Sequence, residues 1–304
     1  MSQKYPNIAI FLSTDEYPSP FDIQLLYDTG IDHVIYYGKV TQDNCKQLIL
    51  DAMFPRDPEG ILHTIFWIGG TDADSVIKIA EIAKKTMFKP FIISTIVDPQ
   101  GGYTTAAGLV AKVAECLRKS YNIHYKEARY AIVGGAGRVG SNAAYLLAKD
   151  GANVKIIDIL TDLAVKKAGE INEKIGAERV KALETYPKND EEYIKVLSDA
   201  DVIITTGPPS VQLISKSILE KLENCKVVAD VNATPPTGIE GIKLGKDCKE
   251  FIGKIYSIGP LAIGTFKKEV QKSVIKAALE APPEERGMFE LDEIYAIAKK
   301  IIGL

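Results

Sequence analysis

The 304-residue chain is poor in several residue types that commonly carry chemistry: it has one tryptophan, three histidines and four cysteines. Cys45, Cys116, Cys225 and Cys248 lie far apart, with no C-x-x-C pair and no histidine at metal-ligand spacing, so no metal site is expected. Thiols of a reducing, cytoplasmic protein are the expected state. Excess positive charge is also lacking. With 37 Lys and Arg against 40 Asp and Glu, the net charge of −3 gives no basic footprint for nucleic acid or an anionic membrane surface. No apolar run is long enough to span a bilayer. The first one, 8–12, is also too short for the core of a signal peptide. A small-molecule partner remains.

What is present is the balance of a globular protein, 46% hydrophobic and 25% charged. Single cores stop growing at about 250 to 300 residues, so two domains are expected. Short apolar runs alternate with amphipathic stretches, the pattern of strands and helices in an α/β protein with a parallel sheet. Strands are predicted at 8–12, 33–37, 64–68 and 91–97, with Ser19-Pro20 opening the first helix and further helices at 75–87 and 104–119. A second series follows at 129–133, 154–157, 180–183, 202–206, 227–231 and 255–258. Six strands is the number in a doubly wound dinucleotide-binding sheet of the Rossmann type. Helices at 263–279 and 291–302, separated by Ala281-Pro282-Pro283, close the chain.

Between the strand at 129–133 and the helix after it, Gly135, Gly137 and Gly140 have the spacing G-x-G-x-x-G. Gly135 permits the tight turn, Gly137 lets the backbone approach a pyrophosphate, and Gly140 lets helix and strand pack closely, while helix-start amides hold the anion. Gly135, Ala136, Gly137, Arg138, Val139 and Gly140 are therefore candidate cofactor-binding residues. The next strand ends in Asp158, placed either to accept hydrogen bonds from the adenosine ribose hydroxyls or to cap the following helix. A carboxylate there repels a 2′-phosphate, Ile159 follows where an NADP enzyme often has Arg, and Lys166 and Lys167 fall inside the helix. NAD is expected over NADP. Two further turns, Thr205 to Pro209 with Thr206 and Gly207, and Asp230 to Gly238 with Asp230 and Asn232, follow strands of the same sheet and are assigned beside the nicotinamide half, with proline rigidity as the structural alternative.

In the first third, polar clusters also follow the strands: Ser13-Thr14-Asp15, Gly69-Gly70-Thr71-Asp72, and Asp98 to Thr105. Here the chain resembles the NAD(P)-dependent methylene-tetrahydromethanopterin dehydrogenases. The resemblance rests on Thr14-Asp15 with Pro18-Ser19-x-Phe21-Asp22, Asp32-His33, Tyr37-Gly38-x-Val40-Thr41-x-Asp43-Asn44, Gly69-Gly70-x-Asp72, and Gly101-x-x-Thr104-Thr105-Ala106-Ala107. It continues through Ala229-Asp230-x-Asn232-Ala233-x-Pro235-Pro236-x-Gly238, Gly259-x-Leu261-x-Ile263-Gly264, Lys267, and Glu293-Ile294-Tyr295 with Ala298-Lys299. It covers nearly the whole chain, in order.

The resemblance implies an α/β enzyme of two domains, a Rossmann-type sheet and a smaller substrate domain, with a tetrahydropterin in the cleft between them. The methylene group bridging two pterin nitrogens is oxidised to methenyl and its hydride passes to the nicotinamide. Such a step needs no nucleophile and leaves a delocalised cation, so positioning and electrostatics are expected to dominate. Asp15 and Asp98 are the candidates to accept from the pterin edge. Thr14 and Gly101 join them as candidate substrate-binding residues, and Thr104 and Thr105 either bind the ligand or cap a helix. Lys267 either contacts the substrate and polarises the pterin or lies on a solvated face. Lys267 and Asp98 are the two candidate catalytic residues.

The chain departs from the family in two places. Members preferring NADP carry Gly-Arg where Asp158-Ile159 stands, and after Lys267 the family alternates Lys and Leu before a His, where this chain has Lys268-Glu269-Val270-Gln271. Tyr145 with Lys149 and Tyr295 with Lys299 are the only Tyr-x-x-x-Lys spacings in question; both are expected to be helix-face neighbours, so little cyclohydrolase activity is expected. His33 is expected to be structural. The substrate domain is expected at 1–121 and 262–304 and the dinucleotide domain at 122–261, with the seam near Tyr121. A homo-oligomer, trimer or hexamer, is implied by resemblance alone. Two alternatives remain: the same reaction on methylene-tetrahydrofolate, and a non-catalytic NAD-binding sensor, against which the intact polar rim from Asp15 to Thr105 speaks.

Overall fold

The computed structural model describes residues 4–304. In chain order it runs β1 (Ile8–Ser13), α1 (Pro20–Tyr27), β2 (His33–Tyr37), α2 (Gln42–Met53), α3 (Pro58–Ile61), β3 (Thr64–Gly70), α4 (Ala73–Thr86) and β4 (Ser94–Pro99). The long helix α5 (Gly102–Tyr121) leads to β5 (Arg129–Val133), α6 (Arg138–Lys149), β6 (Asn153–Ile157), α7 (Thr161–Ile175), β7 (Val180–Ala182), α8 (Asp190–Leu197) and β8 (Val202–Thr205). Then come α9 (Lys216–Leu219), β9 (Val227–Asp230), β10 (Lys249–Ile252), β11 (Ile255–Ile258), α10 (Pro260–Glu280), β12 (Met288–Phe289) and α11 (Leu291–Ile301).

The chain forms two compact units: Met1–Thr104 with Lys268–Ile301, and Thr105–Lys267 with Ile302–Leu304. These limits differ from the expected seams at 121 and 261. The reason is that α5 and α10 are continuous helices that run through the divisions, and helical periodicity gives no sign of where a helix changes company.

The first unit has one five-stranded sheet in the order β12-β4-β3-β1-β2, all parallel. Its central strand β3, Thr-Ile-Phe-Trp-Ile-Gly-Gly, is buried almost throughout, as a parallel strand covered on both faces must be. Leu12, Ile49, Phe66, Ile68, Ile79 and Val97 form the core on one side. The α1 start follows the sequence rule, with the Ser19 side chain accepting from the Asp22 amide and Pro20 in the first turn. The edge strand β12 has only two residues and no sequence signature, because alignment of Met288 with Thr95 creates it. Buried Arg286 anchors that segment by donating to the carbonyls of Ile61, Leu62, Thr64 and Leu279. Burial pushes its guanidinium down to about 10, and the ring of carbonyls meets its donors.

The second unit has seven strands in the order β10-β11-β9-β8-β5-β6-β7. Read from β7 to β11, this is the 3-2-1-4-5-6 order of a dinucleotide-binding sheet. β10 is an addition that periodicity missed: Lys249-Glu250-Phe251-Ile252 has no continuous apolar run, and becomes a strand by pairing antiparallel with β11. Tyr145 and Lys149 are neighbours on α6, with the ammonium 5.8 Å from the ring centre, and Lys299 stands 4.4 Å over Tyr295 on α11.

The expectation of four thiols is corrected. Cys116 on α5 and Cys248 before β10 form a disulfide, with Cα atoms 5.4 Å apart and a sequence separation of 132. Nothing in the spacing of the cysteines signals the pair; packing of α5 beside the 243–248 segment makes it. Cys45 and Cys225 are free and buried, and burial pushes the Cys225 thiol up to about 12. The cysteines therefore give no support for a reducing compartment.

Candidate active site

In the second unit, β5 runs into the glycine-rich turn and α6, with Gly137 as the N-cap. A β-carbon at Gly140 would lie 2.6 Å from both Gly135 Cα and Thr206 Oγ1, and one at Gly135 would lie 2.8 Å from the Ile132 carbonyl. Chain packing alone demands these two glycines. Gly137 is different: its backbone φ is −68°, it is exposed, and a β-carbon there would find only the Gly134 carbonyl, at 3.6 Å. The fold does not require glycine at 137, and the absence of a side chain leaves the amides at the α6 start open to solvent.

Asp158 ends β6 beside this turn. One carboxylate oxygen accepts from the Ala136 amide and the other from the Leu160 amide, both at 3.0 Å. It does not cap α7, whose first turn receives no side-chain cap. Each oxygen accepts one hydrogen bond and retains a lone pair for a further donor. Ile159 is 73% exposed, and Lys166 and Lys167 both reach Glu170.

The turns after β8 and β9 face the glycine-rich turn across the point where strand order reverses. The Thr206 hydroxyl donates to the Gly134 carbonyl at 2.8 Å. Asp230 is fully buried, and its carboxylate accepts from the Thr205 hydroxyl at 2.9 Å and from the amides of Asn232 and Gly238 at 3.0 and 2.8 Å. Burial pushes its acid up despite these bonds. Asn232 donates to the Pro208 carbonyl at 3.2 Å and accepts from the Thr234 amide. Asp230 and Asn232 thus tie the turn after β9 to the turn after β8 that carries Thr206 and Gly207, rather than presenting free polar groups. Thr205 and Gly238, their partners, lie within the two turns the sequence singles out but are not among its candidate site residues, because a Thr at a strand end and a Gly in a proline-rich turn have ordinary structural explanations.

In the first unit, the ends of the neighbouring strands β1, β3 and β4 bring Thr14, Asp15, Asp98 and Gly101 onto one rim. The Asp15 carboxylate accepts from the Thr71 hydroxyl at 2.6 Å and from the Thr71 amide at 3.0 and 3.1 Å, and the residue is half-buried. The Thr14 hydroxyl is buried without a hydrogen-bond partner. A buried polar atom left unpaired is unfavourable, and a ligand donor or acceptor is one way to satisfy it.

Asp98 departs from the expectation. Its carboxylate accepts from the amides of Tyr103 and Thr104 at 3.0 and 3.2 Å, from the Thr104 hydroxyl at 2.6 Å and from Gln271 Nε2 at 3.5 Å. Four donors fill the lone pairs of a carboxylate, and the residue is 2% exposed. Asp98 therefore binds the start of α5, and Thr104, fully buried, is its partner in that cap rather than a free ligand. Gln271, in the stretch after Lys267 where the sequence departs from the family pattern, is buried on α10 against Asp98. Beside it, burial pushes the Tyr103 hydroxyl up to about 12.

Thr105 and Lys267 belong to the second unit. Lys267 is half-buried on α10, where its backbone lies against Gly108 of α5: a β-carbon at Gly108 would be 3.5 Å from Lys267 Cα.

A glycine-rich turn at the switch point of this sheet, with an acid ending the next strand, defines a protein of the Rossmann-type dinucleotide-binding class. Residues 98–255 match the model of the alanine dehydrogenase/PNT C-terminal domain, and residues 20–100 match the methylene-tetrahydromethanopterin dehydrogenase N-terminal model. Over 299 residues, covering 98% of this chain and 99% of the relative, it is 32% identical to the NAD(P)-dependent methylenetetrahydromethanopterin dehydrogenase of Methylorubrum extorquens. It is also 32% identical to the bifunctional protein MdtA of the same organism, with coverages of 95% and 96%. The chain belongs to the methylene-tetrahydromethanopterin dehydrogenase family. Among solved structures, the fold is similar to that of 5-ketofructose reductase of a Gluconobacter species (TM-score 0.51, 16% identity, 97% and 99% coverage). Quinate dehydrogenase from Corynebacterium glutamicum is similar too (TM-score 0.50, 13% identity, 99% and 100% coverage).

Proposed function

We propose that this protein oxidises methylene-tetrahydromethanopterin to the methenyl form with NAD as the preferred acceptor. The observation that carries the reading is the family membership along the full chain, joined to a turn whose Gly137 the fold itself does not require. When bound, NAD supplies the carbon that accepts the hydride. Amides of Gly137 to Val139 at the α6 start receive the pyrophosphate, and Asp158 takes the ribose hydroxyls on its remaining lone pairs. Thr206 and Gly207 line the nicotinamide half. Exposed, apolar Ile159 offers nothing to a 2′-phosphate, which supports NAD over NADP.

On the substrate side, Asp15 accepts from the pterin edge, held in place by Thr71, and the unpartnered Thr14 hydroxyl supplies a further polar contact. Asp98, Gly101 and Thr104 set the start of α5 and so the direction of Thr105. Lys267 contacts the polar part of the substrate. No residue here need move a proton, because the reaction transfers hydride and leaves its charge on the pterin; orientation and exclusion of water are what these side chains contribute.

The protein is further proposed to work in the cytoplasm, where the nicotinamide pool lies, and as a homo-oligomer. The oligomer is supported by the edge strand β2, which exposes Ile35, Tyr36 and Tyr37, more apolar surface than an isolated edge usually carries. Among the described residues no helix is long and apolar enough to cross a membrane.

The test is turnover by purified protein of methylene-tetrahydromethanopterin and methylene-tetrahydrofolate, each with NAD and NADP, followed by reduced-nicotinamide absorbance. Fastest turnover of the methanopterin substrate with NAD is expected. No turnover of either pterin overturns the enzyme reading, better use of the folate overturns the substrate, and preference for NADP overturns the cofactor.

A further inference from the structure

A cavity of about 610 Å³ in the second unit is lined by Lys216, Lys243, Lys246 and Lys249, with Tyr256 and Ser257 of β11 as further walls. None of these residues belongs to the set proposed to hold NAD or pterin. Four lysines on the wall of one hollow concentrate like charge there, and none of the four forms an ion pair among the described residues.

Each of the three acids nearby has a partner other than these ammonium groups. Asp247 pairs with Lys112 at 2.8 Å, Glu240 accepts from the backbone amide of Lys216 at 2.9 Å, and Glu250, on the cavity wall, accepts from the Tyr256 hydroxyl at 3.4 Å.

The segment that carries three of the lysines is not a loop free to spread its charges. The Lys246 carbonyl accepts from the Gly259 amide at 2.7 Å, the Leu244 carbonyl accepts from Leu261 at 2.9 Å, and the Lys246 amide donates to Lys243 at 3.1 Å. Cys248, which also lines the cavity, is tied to α5 by the disulfide. The fourth lysine is placed by a different device: at Gly241, with φ +74°, a β-carbon would lie 2.7 Å from Lys216 Cε, so the glycine leaves the path along which that side chain runs. A backbone held in this way sets four lysines against the single carboxylate of Glu250 on the cavity wall, and the excess of positive charge suits a counter-charge from outside the chain.

We propose that this cavity is a second ligand site, for a small molecule with two or more negative charges of the oligophosphate or polycarboxylate class. The volume accepts an anion larger than a single phosphate. Lysine rather than arginine lines it, which suits charge attraction to several anion shapes better than bidentate recognition of one.

Binding is measured by titration calorimetry at 0.15 M salt with pyrophosphate, tripolyphosphate, citrate and ATP on the full chain, and on the triple variant Lys243→Ala/Lys246→Ala/Lys249→Ala. The wild type is expected to bind at least one of these with a dissociation constant of roughly 0.1 mM, and the triple variant about a hundredfold more weakly. The triple Lys→Arg variant is expected to keep binding to within about threefold, which separates lost charge from lost fold. Tighter binding of ATP than of tripolyphosphate would show that the cavity also accepts a nucleoside, and equal binding that the oligophosphate suffices; both support the site. No binding of any probe by the wild type overturns the proposal. Equal binding by wild type and the triple alanine variant also overturns it, since the anion then sits elsewhere, such as on the intact glycine-rich turn. Catalytic turnover with the proposed substrates is not part of the readout, so the anion site and the enzymatic reading fail independently.

Discussion

Asp98 accepts hydrogen bonds from both the backbone amide and the hydroxyl of Thr104, at 3.2 and 2.6 Å. Two residues that the sequence offers as candidate ligands are thereby joined into a buried cap at the head of α5. Charge-assisted bonds from a carboxylate to buried donors contribute about 1.5–3 kcal/mol each, and leaving the donors unmet is unfavourable by a similar amount. Asp98→Asn is expected to destabilise the first unit by about 2 kcal/mol in denaturant unfolding and to leave NAD affinity unchanged. Unaltered stability with lost turnover would restore Asp98 as a residue that touches substrate.

Gly137 and Gly140 separate ligand from fold. Gly140→Ala pushes a methyl group into Gly135 and Thr206, and is expected to destabilise by about 1–3 kcal/mol. Gly137→Ala meets nothing closer than 3.6 Å and is expected to cost about 0.5–1 kcal/mol, the difference between Gly and Ala at an N-cap, while weakening NAD at least about tenfold by calorimetry. Retained NAD affinity in Gly137→Ala would remove the pyrophosphate from this turn.

Asp158 is tied to the turn through Ala136 and retains lone pairs for ribose hydroxyls. Asp158→Ala is expected to weaken NAD use and to narrow the preference for NAD over NADP by one to two powers of ten, about 1.4 kcal/mol for each. Adding Ile159→Arg places a cation where a 2′-phosphate would lie and is expected to turn the preference toward NADP. Steady-state kinetics with both cofactors checks this; an unchanged ratio in Asp158→Ala would limit the carboxylate to holding the turn.

The Cys116–Cys248 bond closes a long loop within the second unit. Removing it restores entropy to the unfolded chain, so Cys116→Ala/Cys248→Ala, or treatment with a reductant, is expected to lower stability by about 2–4 kcal/mol. Mass spectrometry of protein alkylated in denaturant without reductant should find two modified cysteines, Cys45 and Cys225; four would show that the bond does not form.

The sequence was most informative where one chemical need acts over a short span. The glycine-rich turn lies between β5 and α6 as expected, and Asp158 ends β6, because turn geometry, strand ending and helix start are local and each restricts residue type. Most of the parallel strands were legible for the same reason, since burial on both faces leaves a continuous apolar run. The polar rim of Thr14, Asp15, Asp98 and Gly101 was visible as clusters following strands, and β4-β3-β1 adjacency places those strand ends side by side.

Other features have no local signature. β10 and β12 are strands because a neighbour pairs with them, and the Cys116–Cys248 bond joins residues 132 positions apart. The duties of Asp98, Asp230 and Asn232 were likewise undecidable from residue type, since a carboxylate that reads a ligand and one that holds a loop look alike until their donors are counted. By itself the sequence determined the class of fold, the family and the place of the cofactor turn, because these depend on patterns written in consecutive residues. Tertiary structure alone decided which polar side chains remain available to a ligand and which are consumed by the chain's own amides, because hydrogen-bond capacity is spent between residues distant in sequence.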